Sequence, residues 1–428
     1  MLDRLFALET SGIKLGLENI TRLTSALGHP ERSFTSLHVA GTNGKGSVTA
    51  MVHAALVAAG IRAARYVSPH LVDLRERFVV GSSPVSSEDL VSAATDVLDR
   101  ADALLASGEL AAHPTFFEAT TAVAFELFRR AQVEVAVIEV GLGGRFDSTN
   151  VVPAVAGAIT SIGFDHQDLL GDTLGAIAFE KAGIIKPGMT TVAGALPTEA
   201  RDVVRAVAAA RHARLIETGD TRLESAVEDG RTTVVIETPE DRYGPLRLAL
   251  RGDHQVGNAA VAVRLLETAR SLGVRLTRDA IIRGLTDADW PGRLELIRLP
   301  DGAQALLDAA HNVDGARALA AYLDRWHPER PTLVIGMMRD KDVTGIVTAL
   351  LPVVSRVIAT AAATSRAIPA HELASRIASC GASDVRTEPD PTAAVDRALS
   401  GGRTVCVSGS IFVVGAVRDR LRGRAILR

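Results

Sequence analysis

Short apolar runs alternate along this chain with longer segments in which apolar residues recur at helical spacing. Phe34, Leu37 and Val39 form one run, and residues 133–140 are apolar almost throughout. Runs of this kind are typical of strands that are buried on both faces of a parallel sheet. The segment at residues 48–59 has the periodicity of an amphipathic helix. The pattern therefore predicts an α/β fold.

The same alternation continues to the end of the chain, with one interruption and one break. Short alternating runs at residues 214–250 predict a small β-rich insertion, and the Asp-Trp-Pro-Gly-Arg segment at 289–293 is the best linker candidate. We expect an N-terminal domain at residues 1–290 and a second α/β domain at 291–428. In the second domain, strands are predicted near 303–308, 331–336, 353–360 and 403–408, and helices near 313–326, 342–351, 369–379, 390–399 and 411–421.

A glycine-rich loop, GTNGKGS at residues 41–47, separates the first predicted strand from the first long helix. Backbone N–H groups of such a loop and the dipole of the following helix favour an anion. Lys45 adds a charge for terminal phosphates, and Ser47 or Thr42 can supply a hydroxyl oxygen near magnesium. The usual phosphate loop has Ser or Thr directly after the lysine, whereas Gly46 intervenes here. A glycine-rich turn with an incidental lysine is the alternative interpretation.

Three polar residues follow predicted strands and are expected at the same sheet edge as the loop. Ser68 precedes Pro69, Glu139 ends an apolar run, and His166 follows another. Ligands of open α/β sheets gather outside the carboxyl ends of the strands. A carboxylate is costly to bury there unless it is paired or metal-bound, so we favour a magnesium role for Glu139. Ordinary turn chemistry remains the alternative for Ser68, and a structural role for His166.

Several other polar residues have both a structural and a functional interpretation. Thr115 and Glu118 have the spacing of a capping box, which is as good an explanation as ligand binding. Lys181 lies among apolar residues, which fits either a modified or catalytic lysine or a surface lysine with a buried stem. In the second domain, polar clusters at residues 308–312, 339–342 and 408–410 follow predicted strands, where each can be a helix cap or part of a site.

Composition narrows the class of protein without naming it. The 428 residues are 47% hydrophobic, 23% charged and 4% aromatic, with a formal net charge of −3 and no long basic run. These values are ordinary for a globular protein and give no support to nucleic-acid binding. Two cysteines are too few for a disulfide framework, and no run approaches the length of a membrane span. We therefore expect a cytoplasmic protein with no membrane or nucleic-acid partner.

The motifs taken together resemble the folylpolyglutamate synthase/dihydrofolate synthase family, a branch of the Mur ligases, over essentially the whole chain. The matching segments are KLGL (14–17), GTNGKGS (41–47), SPHL (68–71) with Glu76-Arg77, TFFE (115–118), EVGLGGRFDSTN (139–150), DHQDLLG (165–171), EKAGIIKPG (180–188), HQVGNA (254–259), PGRLE (291–295), DAAHN (308–312) and SGS (408–410). The resemblance implies Mur ligase architecture: an α/β protein with an N-terminal P-loop-type parallel-sheet ATPase domain and a C-terminal Rossmann-like α/β domain.

The resemblance also implies an activity and roles for the matching positions. The family joins a pteroate-type or folyl carboxylate to glutamate, using ATP and an acyl-phosphate intermediate. Implied nucleotide contacts are Thr42, Asn43, Gly44, Lys45, Gly46, Ser47, Asn258, Arg293 and Asp308; implied magnesium ligands, for two ions, are Ser68, Glu139 and His166. Lys181 matches a lysine that is carbamylated. Catalytic roles are implied for Lys45, Lys181, Arg293 and His311, with His311 near the incoming glutamate. A monovalent cation is a further cofactor that the family allows.

The acyl substrate is predicted from positions that line the dihydropteroate pocket of bifunctional members. These are Leu15, Gly16, Leu17, Thr115, Phe116, Phe117, Glu118, Phe146, Asp147 and Ser148. Two positions depart from the bifunctional pattern, since Lys14 stands where some members have Asp and Ser148 where they often have Ala. We expect a monomer that acts on ATP, L-glutamate and either dihydropteroate or a reduced folate. The alternatives are another Mur-type ligase, such as a peptidoglycan-precursor ligase, and a P-loop nucleotide-binding protein without ligase chemistry.

Overall fold

The computed structural model describes residues 2–12, 16–401 and 404–425, which are built around two main sheets. The larger sheet has eight strands: β1 (Thr35–Ala40), β2 (Ala63–Tyr66), β3 (Phe78–Val80), β4 (Ser83–Pro84), β5 (Val135–Glu139), β6 (Ala156–Ile159), β7 (Thr190–Ala193) and β8 (Arg214–Glu217). Their spatial order is β4-β3-β2-β5-β1-β6-β7-β8. The pairs along β2-β5-β1-β6-β7-β8 are parallel, whereas β3 pairs in antiparallel fashion with both β2 and β4. This is the parallel sheet that the apolar runs predict.

Helices cover both faces of this sheet. They are α1 (Leu2–Ala7), α2 (Glu18–Ala26), α3 (Lys45–Ala58), α4 (Ser87–Ala106), α5 (Phe116–Arg130), α6 (Gln167–Leu170), α7 (Leu174–Ala182), α8 (Thr198–Ala210), α9 (His254–Ser271) and α10 (Arg278–Thr286). One apolar core packs α2, α4 and α5 against the sheet, and another packs α3, α9 and α10 against its opposite face. None of the helices in the described residues is long and apolar enough to cross a membrane.

The glycine-rich loop lies at the centre of the carboxyl edge of this sheet. Strand β1 is flanked by β5 and β6, and Val39 on β1 is paired with Glu139 on β5. Gly44 has a φ of 83°, which favours glycine, and helix α3 begins at the next residue, Lys45. The strand–loop–helix order therefore agrees with the sequence prediction, and it brings Glu139 alongside the loop.

The β-rich insertion is smaller than the sequence pattern suggests. Its three strands, β9 (Arg222–Glu228), β10 (Arg231–Glu237) and β11 (Arg242–Arg247), form an antiparallel sheet. The stretch that precedes them, Arg214–Glu217, is instead β8, the last strand of the main sheet. The prediction that the insertion begins at residue 214 is therefore wrong, because a four-residue edge strand has the same alternating pattern in either sheet.

The second sheet has six strands in the order β12-β13-β17-β14-β15-β16. Its elements are β12 (Glu295–Arg298), β13 (Gln304–Leu307), α11 (Val313–Trp326), β14 (Thr332–Ile335), α12 (Val343–Leu350), β15 (Arg356–Ala359), α13 (Ala370–Ser379), β16 (Val385–Thr387), α14 (Pro391–Ser400), β17 (Thr404–Ser408) and α15 (Ile411–Gly423). Strands β12 and β16 were not predicted; both are edge strands with few buried positions. We call the part built on the larger sheet the first lobe and the part built on this sheet the second lobe.

Candidate active site

A cleft of about 1070 Å³ lies between the lobes, where the carboxyl edges of the two sheets face each other. The residues predicted for nucleotide, metal and catalysis all line this cleft: Thr42, Asn43, Gly44, Lys45, Gly46, Ser47, Ser68, Glu139, His166, Lys181, Asn258, Arg293, Asp308 and His311. Parallel strands end at a common edge, so residues far apart in sequence meet there. The structure therefore brings these side chains together in a volume typical of a ligand site.

The glycine-rich loop presents a cation and free helix N–H groups to the cleft. Lys45 Nζ donates to the carbonyl oxygens of Gly41, at 3.0 Å, and Thr42, at 3.2 Å. No side chain caps the N-terminus of α3, so its first N–H groups remain available to an anion. The Thr42 hydroxyl exchanges hydrogen bonds with the backbone of Gly163. Of the two hydroxyls proposed near magnesium, that of Thr42 is thus already engaged with the protein backbone.

Glu139 carries a buried carboxylate that is only partly satisfied. The Ser68 backbone N–H donates to it, whereas Oε2 has no hydrogen-bond partner among the described residues. Burial raises the pKa of Glu139 to about 7, against the charges of Lys45, Arg293 and Arg65. An unpartnered carboxylate oxygen in a cleft fits a divalent cation, which takes one or two carboxylates and completes its shell with water and phosphate oxygens.

His166 lies at the carboxyl edge, directly before the short helix α6, with a φ of 50°. Burial lowers the pKa of His166 to about 4, so its imidazole is neutral at neutral pH, the form that binds metals. No group of three or more His, Cys, Asp or Glu side chains in the described part of the chain is arranged to hold a metal by itself. A cation here would therefore need oxygens from Ser68, water or a bound phosphate besides Glu139 and His166.

Lys181 is buried rather than extended to the surface, so the interpretation as a snorkelling surface lysine is wrong. Its Nζ donates to the carbonyl oxygen of Gly41 at 3.1 Å, the same oxygen that Lys45 contacts. Burial and the charge of Lys45 lower the pKa of Lys181 to about 7. About half of this amine is therefore uncharged, and nucleophilic, at neutral pH.

The remaining nucleotide candidates lie on helix α9 and at the joint between the lobes. Asn258 Nδ2 donates to Gln255 Oε1 at 2.9 Å. Both carboxylate oxygens of Asp308 accept backbone N–H groups, from Leu294 and Ala310, at 2.9 Å. Arg293 lines the cleft and forms no ion pair with a carboxylate among the described residues. Arg293 is therefore the cation at the joint that is free to meet phosphate charge.

The seam between the lobes depends on Asp165, Lys341 and Asn312, to which the sequence analysis assigned no individual role. Asp165 accepts from Lys341 Nζ at 2.7 Å and from Asn312 Nδ2 at 3.2 Å, and it lies 3.5 Å from His311 Nε2. Asn312 also exchanges hydrogen bonds with Asn43 in the glycine-rich loop, at 3.0 and 3.3 Å. The only sequence signal was that these polar residues follow strands, which does not reveal their partners in the other lobe.

The predicted acyl-substrate residues are placed differently from the nucleotide residues. None of those within the described residues lines the cleft of 1070 Å³, and Leu15 lies outside the described residues. Glu118 Oε2 accepts from the N–H of Thr115 at 2.7 Å and from its hydroxyl at 3.0 Å, while the Thr115 hydroxyl accepts from the Glu118 N–H. The capping-box interpretation therefore accounts for both side chains.

Two of the predicted acyl-substrate residues, Phe117 and Asp147, nevertheless contact Gly141 and Leu142, which form part of the cleft wall. A methyl group at Gly141 would collide with the ring of Phe117, which therefore lies directly behind this wall. Asp147 accepts the N–H of Leu142 at 2.8 Å, and burial raises its pKa. Phe146 is 38% exposed. Phe116 packs on Phe6, Ser148 is buried, and Gly16 and Leu17 are half-buried. Two regions thus meet at residues 141–142.

Comparisons with known proteins identify the family. Residues 90–266 match the Mur ligase middle domain, and residues 292–411 match the Mur ligase glutamate ligase domain. The dihydrofolate synthase/folylpolyglutamate synthase of Bacillus subtilis is 34% identical over 420 residues, which are 96% of this chain and 96% of that protein. The chain belongs to the dihydrofolate synthase/folylpolyglutamate synthase family.

Solved structures of this synthase family have the same fold over almost their whole length. The Mycobacterium tuberculosis folylpolyglutamate synthase complexed with ADP superposes with a TM-score of 0.91, at 33% identity, and covers 98% of both chains. A bifunctional synthase from Yersinia pestis, complexed with AMPPNP and a manganese ion, gives 0.83 at 29% identity, covering 98% of this chain and 97% of that one. Synthases of this family therefore bind an adenine nucleotide and a divalent metal, which supports the prediction over the two alternatives.

Proposed function

We propose that this synthase uses ATP to join L-glutamate to the carboxylate of dihydropteroate or of a reduced folate. The observation that carries the proposal is the single interlobe cleft, which combines the phosphate-type loop, the free cation of Arg293 and the unpartnered oxygen of Glu139. A phosphoryl-transfer site needs cations and N–H groups around the phosphates, together with a metal-binding carboxylate. We place the domain boundary at residues 290/291, because Trp290 packs on Gly46 while Glu295 binds Arg418 in the second lobe.

The reaction follows from the poor reactivity of a carboxylate toward an amine. A carboxylate oxygen of the acid attacks the γ-phosphorus of ATP, the bond to the β-phosphate oxygen breaks, and an acyl phosphate and ADP form. Lys45, Arg293 and the N–H groups at the start of α3 offset the charge of the transferring phosphoryl group. The glutamate amine then attacks the acyl carbon, and phosphate leaves. We place His311 of the second lobe beside the incoming glutamate.

The residues present fit a magnesium site, and we propose that Ser68, Glu139 and His166 hold up to two ions together with phosphate oxygens. When bound, magnesium neutralises phosphate charge and polarises the phosphoryl oxygens. The Glu139 carboxylate binds from the β5 end, and the neutral imidazole of His166 binds from the β6 end. A requirement for a monovalent cation stays a prediction, which assays with potassium or tetramethylammonium as the only such cation would check.

We propose that Lys181 is carbamylated in the active protein. Its buried amine, with a pKa lowered to about 7, is about half in the neutral form that adds to carbon dioxide. Nitrogen forms a bond to carbon, and one proton is released to leave a carbamate anion near the metal site. Protein incubated with ¹³C-bicarbonate should show a carbamate carbon signal by NMR that Lys181→Ala lacks. Equal signals from both proteins would refute the modification.

We propose activity on both acyl substrates, because Phe146 and Asp147 keep the bifunctional pattern, from which Ser148 departs, and Asp147 binds the backbone of Leu142 in the cleft wall. The test is phosphate release from monomeric protein with ATP, measured for dihydropteroate and tetrahydrofolate, each with and without glutamate. A synthase consumes ATP only when acid and glutamate are both present. ATP hydrolysis that is independent of both the acid and glutamate would instead indicate a nucleotide switch. Activity on uridine-linked precursors would indicate a peptidoglycan ligase. Turnover of tetrahydrofolate but not dihydropteroate would refute the dihydrofolate synthase half of the proposal.

A further inference from the structure

Asp165 connects the metal-binding edge of the first lobe to the second lobe. It directly precedes His166, yet its carboxylate is bound by side chains from two second-lobe segments, Lys341 at 2.7 Å and Asn312 at 3.2 Å. Only 8% of the Lys341 side chain and 10% of that of Asp165 are exposed. An ion pair this deeply buried is far less screened than a surface pair, so losing one partner leaves the other charge uncompensated.

The contacts around Asp165 form one seam directly over the glycine-rich loop. Asn43 of the loop and Asn312 of the second lobe each donate to the other's amide oxygen. A methyl group at Gly163 would collide with the carboxylate of Asp314, so the lobes also meet closely next to Asp165. The position where phosphates are expected therefore lies beneath a contact that exists only while the lobes are together.

Asp165 also faces the ring of His311, which lines the cleft. His311 Nδ1 lies 2.9 Å from the carbonyl oxygen of Ala309, an acceptor only, so Nδ1 carries a hydrogen. The other ring nitrogen, Nε2, lies 3.5 Å from Asp165 Oδ2. Nδ1 is therefore held within the second lobe, and Nε2 faces the Asp165 carboxylate of the first lobe. When the ring carries hydrogens on both nitrogens, Nε2 donates to that carboxylate, and this contact orients the ring when the lobes meet.

We propose that Asp165 is a positioning residue that latches the second lobe over the acyl phosphate, through Lys341 and Asn312, and orients His311. The proposal rests on the proposed function. Its consequence concerns water. If the contact of Asp165 with Lys341 and Asn312 is lost, water attacks the acyl phosphate in place of the glutamate amine. The water oxygen bonds to the acyl carbon, the bond from that carbon to the phosphate oxygen breaks, and the acid and free phosphate are released. Closed lobes suppress this reaction by excluding water.

The test measures the number of phosphates released per amide bond formed. The wild-type protein releases one. Asp165→Asn and Lys341→Met each lower the rate of amide formation by about tenfold and raise that number to roughly three or more, and the double variant is no worse than either single variant because both remove one contact. The matched control is Asp253→Asn, which removes an exposed pair between the lobes, Asp253 with Arg325 at 3.5 Å, and changes neither quantity.

Two further measurements separate the latch from a loss of folding or of nucleotide binding. Both variants keep the affinity for magnesium-bound AMPPNP within about threefold, since the side chains of Asp165 and Lys341 bind each other and Asn312 rather than the glycine-rich loop. Asp165→Glu restores part of the coupling. One phosphate per amide in both variants, or fully additive losses in the double variant, would overturn the proposal. If the proposed function itself is wrong, the wild-type protein already shows no glutamate-dependent phosphate release. That measurement is made on the wild type alone, before any variant is compared with it.

Discussion

Glu139→Gln should stabilise the metal-free protein while removing its activity. The carboxyl group is buried, and Oε2 lacks a hydrogen-bond partner among the described residues. Burial raises the pKa of Glu139 from 4.5 to about 7, although the positive charges of Lys45 and Arg293 partly oppose this rise. At about 1.4 kcal/mol for each pH unit, the rise is worth roughly 3 kcal/mol. Without a metal ion, the ionised carboxylate destabilises the fold by up to that amount.

The pH dependence has a definite sign. Below pH 4.5, the carboxyl group is protonated in both the folded and the unfolded chain, so it makes no difference to stability. Between pH 4.5 and about 7 the folded chain holds the extra proton, so the free energy of unfolding falls as the pH rises. Above about pH 7 the free energy of unfolding falls no further on account of this group. Glu139→Gln cannot ionise, so it should match the wild type near pH 4.5 and exceed its stability at pH 8 by about 2–3 kcal/mol.

The assay is urea unfolding at pH 5 and pH 8 in buffer with a chelator. The control is Glu228→Gln, which changes an exposed carboxylate on β9 and should show no such pH dependence. Magnesium with AMPPNP should stabilise the wild type more than Glu139→Gln and so reduce the difference in their free energies of unfolding at pH 8. Turnover should fall at least about 100-fold, because Glu139 is a proposed ligand of the metal. If Glu139→Gln is the less stable protein at pH 8, or its advantage is equal at both pH values, the reasoning is refuted.

Two further predictions concern the contact between the lobes and the helix cap. A methyl group at Gly415 would collide with the carbonyl oxygen of Leu71, so Gly415→Ala should push the lobes apart and lower kcat about tenfold, leaving AMPPNP affinity within twofold; Gly423→Ala, on the same helix with nothing nearby, is the control in a turnover assay. An equal loss of kcat in Gly415→Ala and Gly423→Ala would exclude the contact with Leu71 as the cause. Thr115→Ala should lower the free energy of unfolding by about 1 kcal/mol, as should the distant cap variant Thr277→Ala. A raised KM for dihydropteroate in Thr115→Ala alone would show that Thr115 also binds substrate.

The periodicity of the sequence was sufficient for most of the architecture. Strand β5 and helix α3 were predicted within three residues of their observed bounds, because burial on both faces and burial on one face leave different repeats. The same logic predicted that Glu139 and His166 would share an edge with the loop, since parallel strands end on one side of a sheet. Their roles as metal ligands stay predictions.

Other features depended on which surfaces meet in the folded chain. The sequence could not distinguish a capping Thr115 from a ligand, because the spacing to Glu118 is identical in both cases. It did not show that Lys181 points inward, since an amphipathic repeat does not identify what covers each face.

The sequence by itself thus determined the two α/β lobes, most of their strands and helices apart from edge strands such as β8, β12 and β16, and the set of polar residues at the strand ends. Only the tertiary structure decided which of those residues face each other: Asp165 and Lys341 are 176 positions apart and meet solely because the two lobes are docked. The physical reason is that hydrogen-bonded elements are encoded by neighbouring residues, whereas the pairing of charges across a cleft depends on how separately folded surfaces pack.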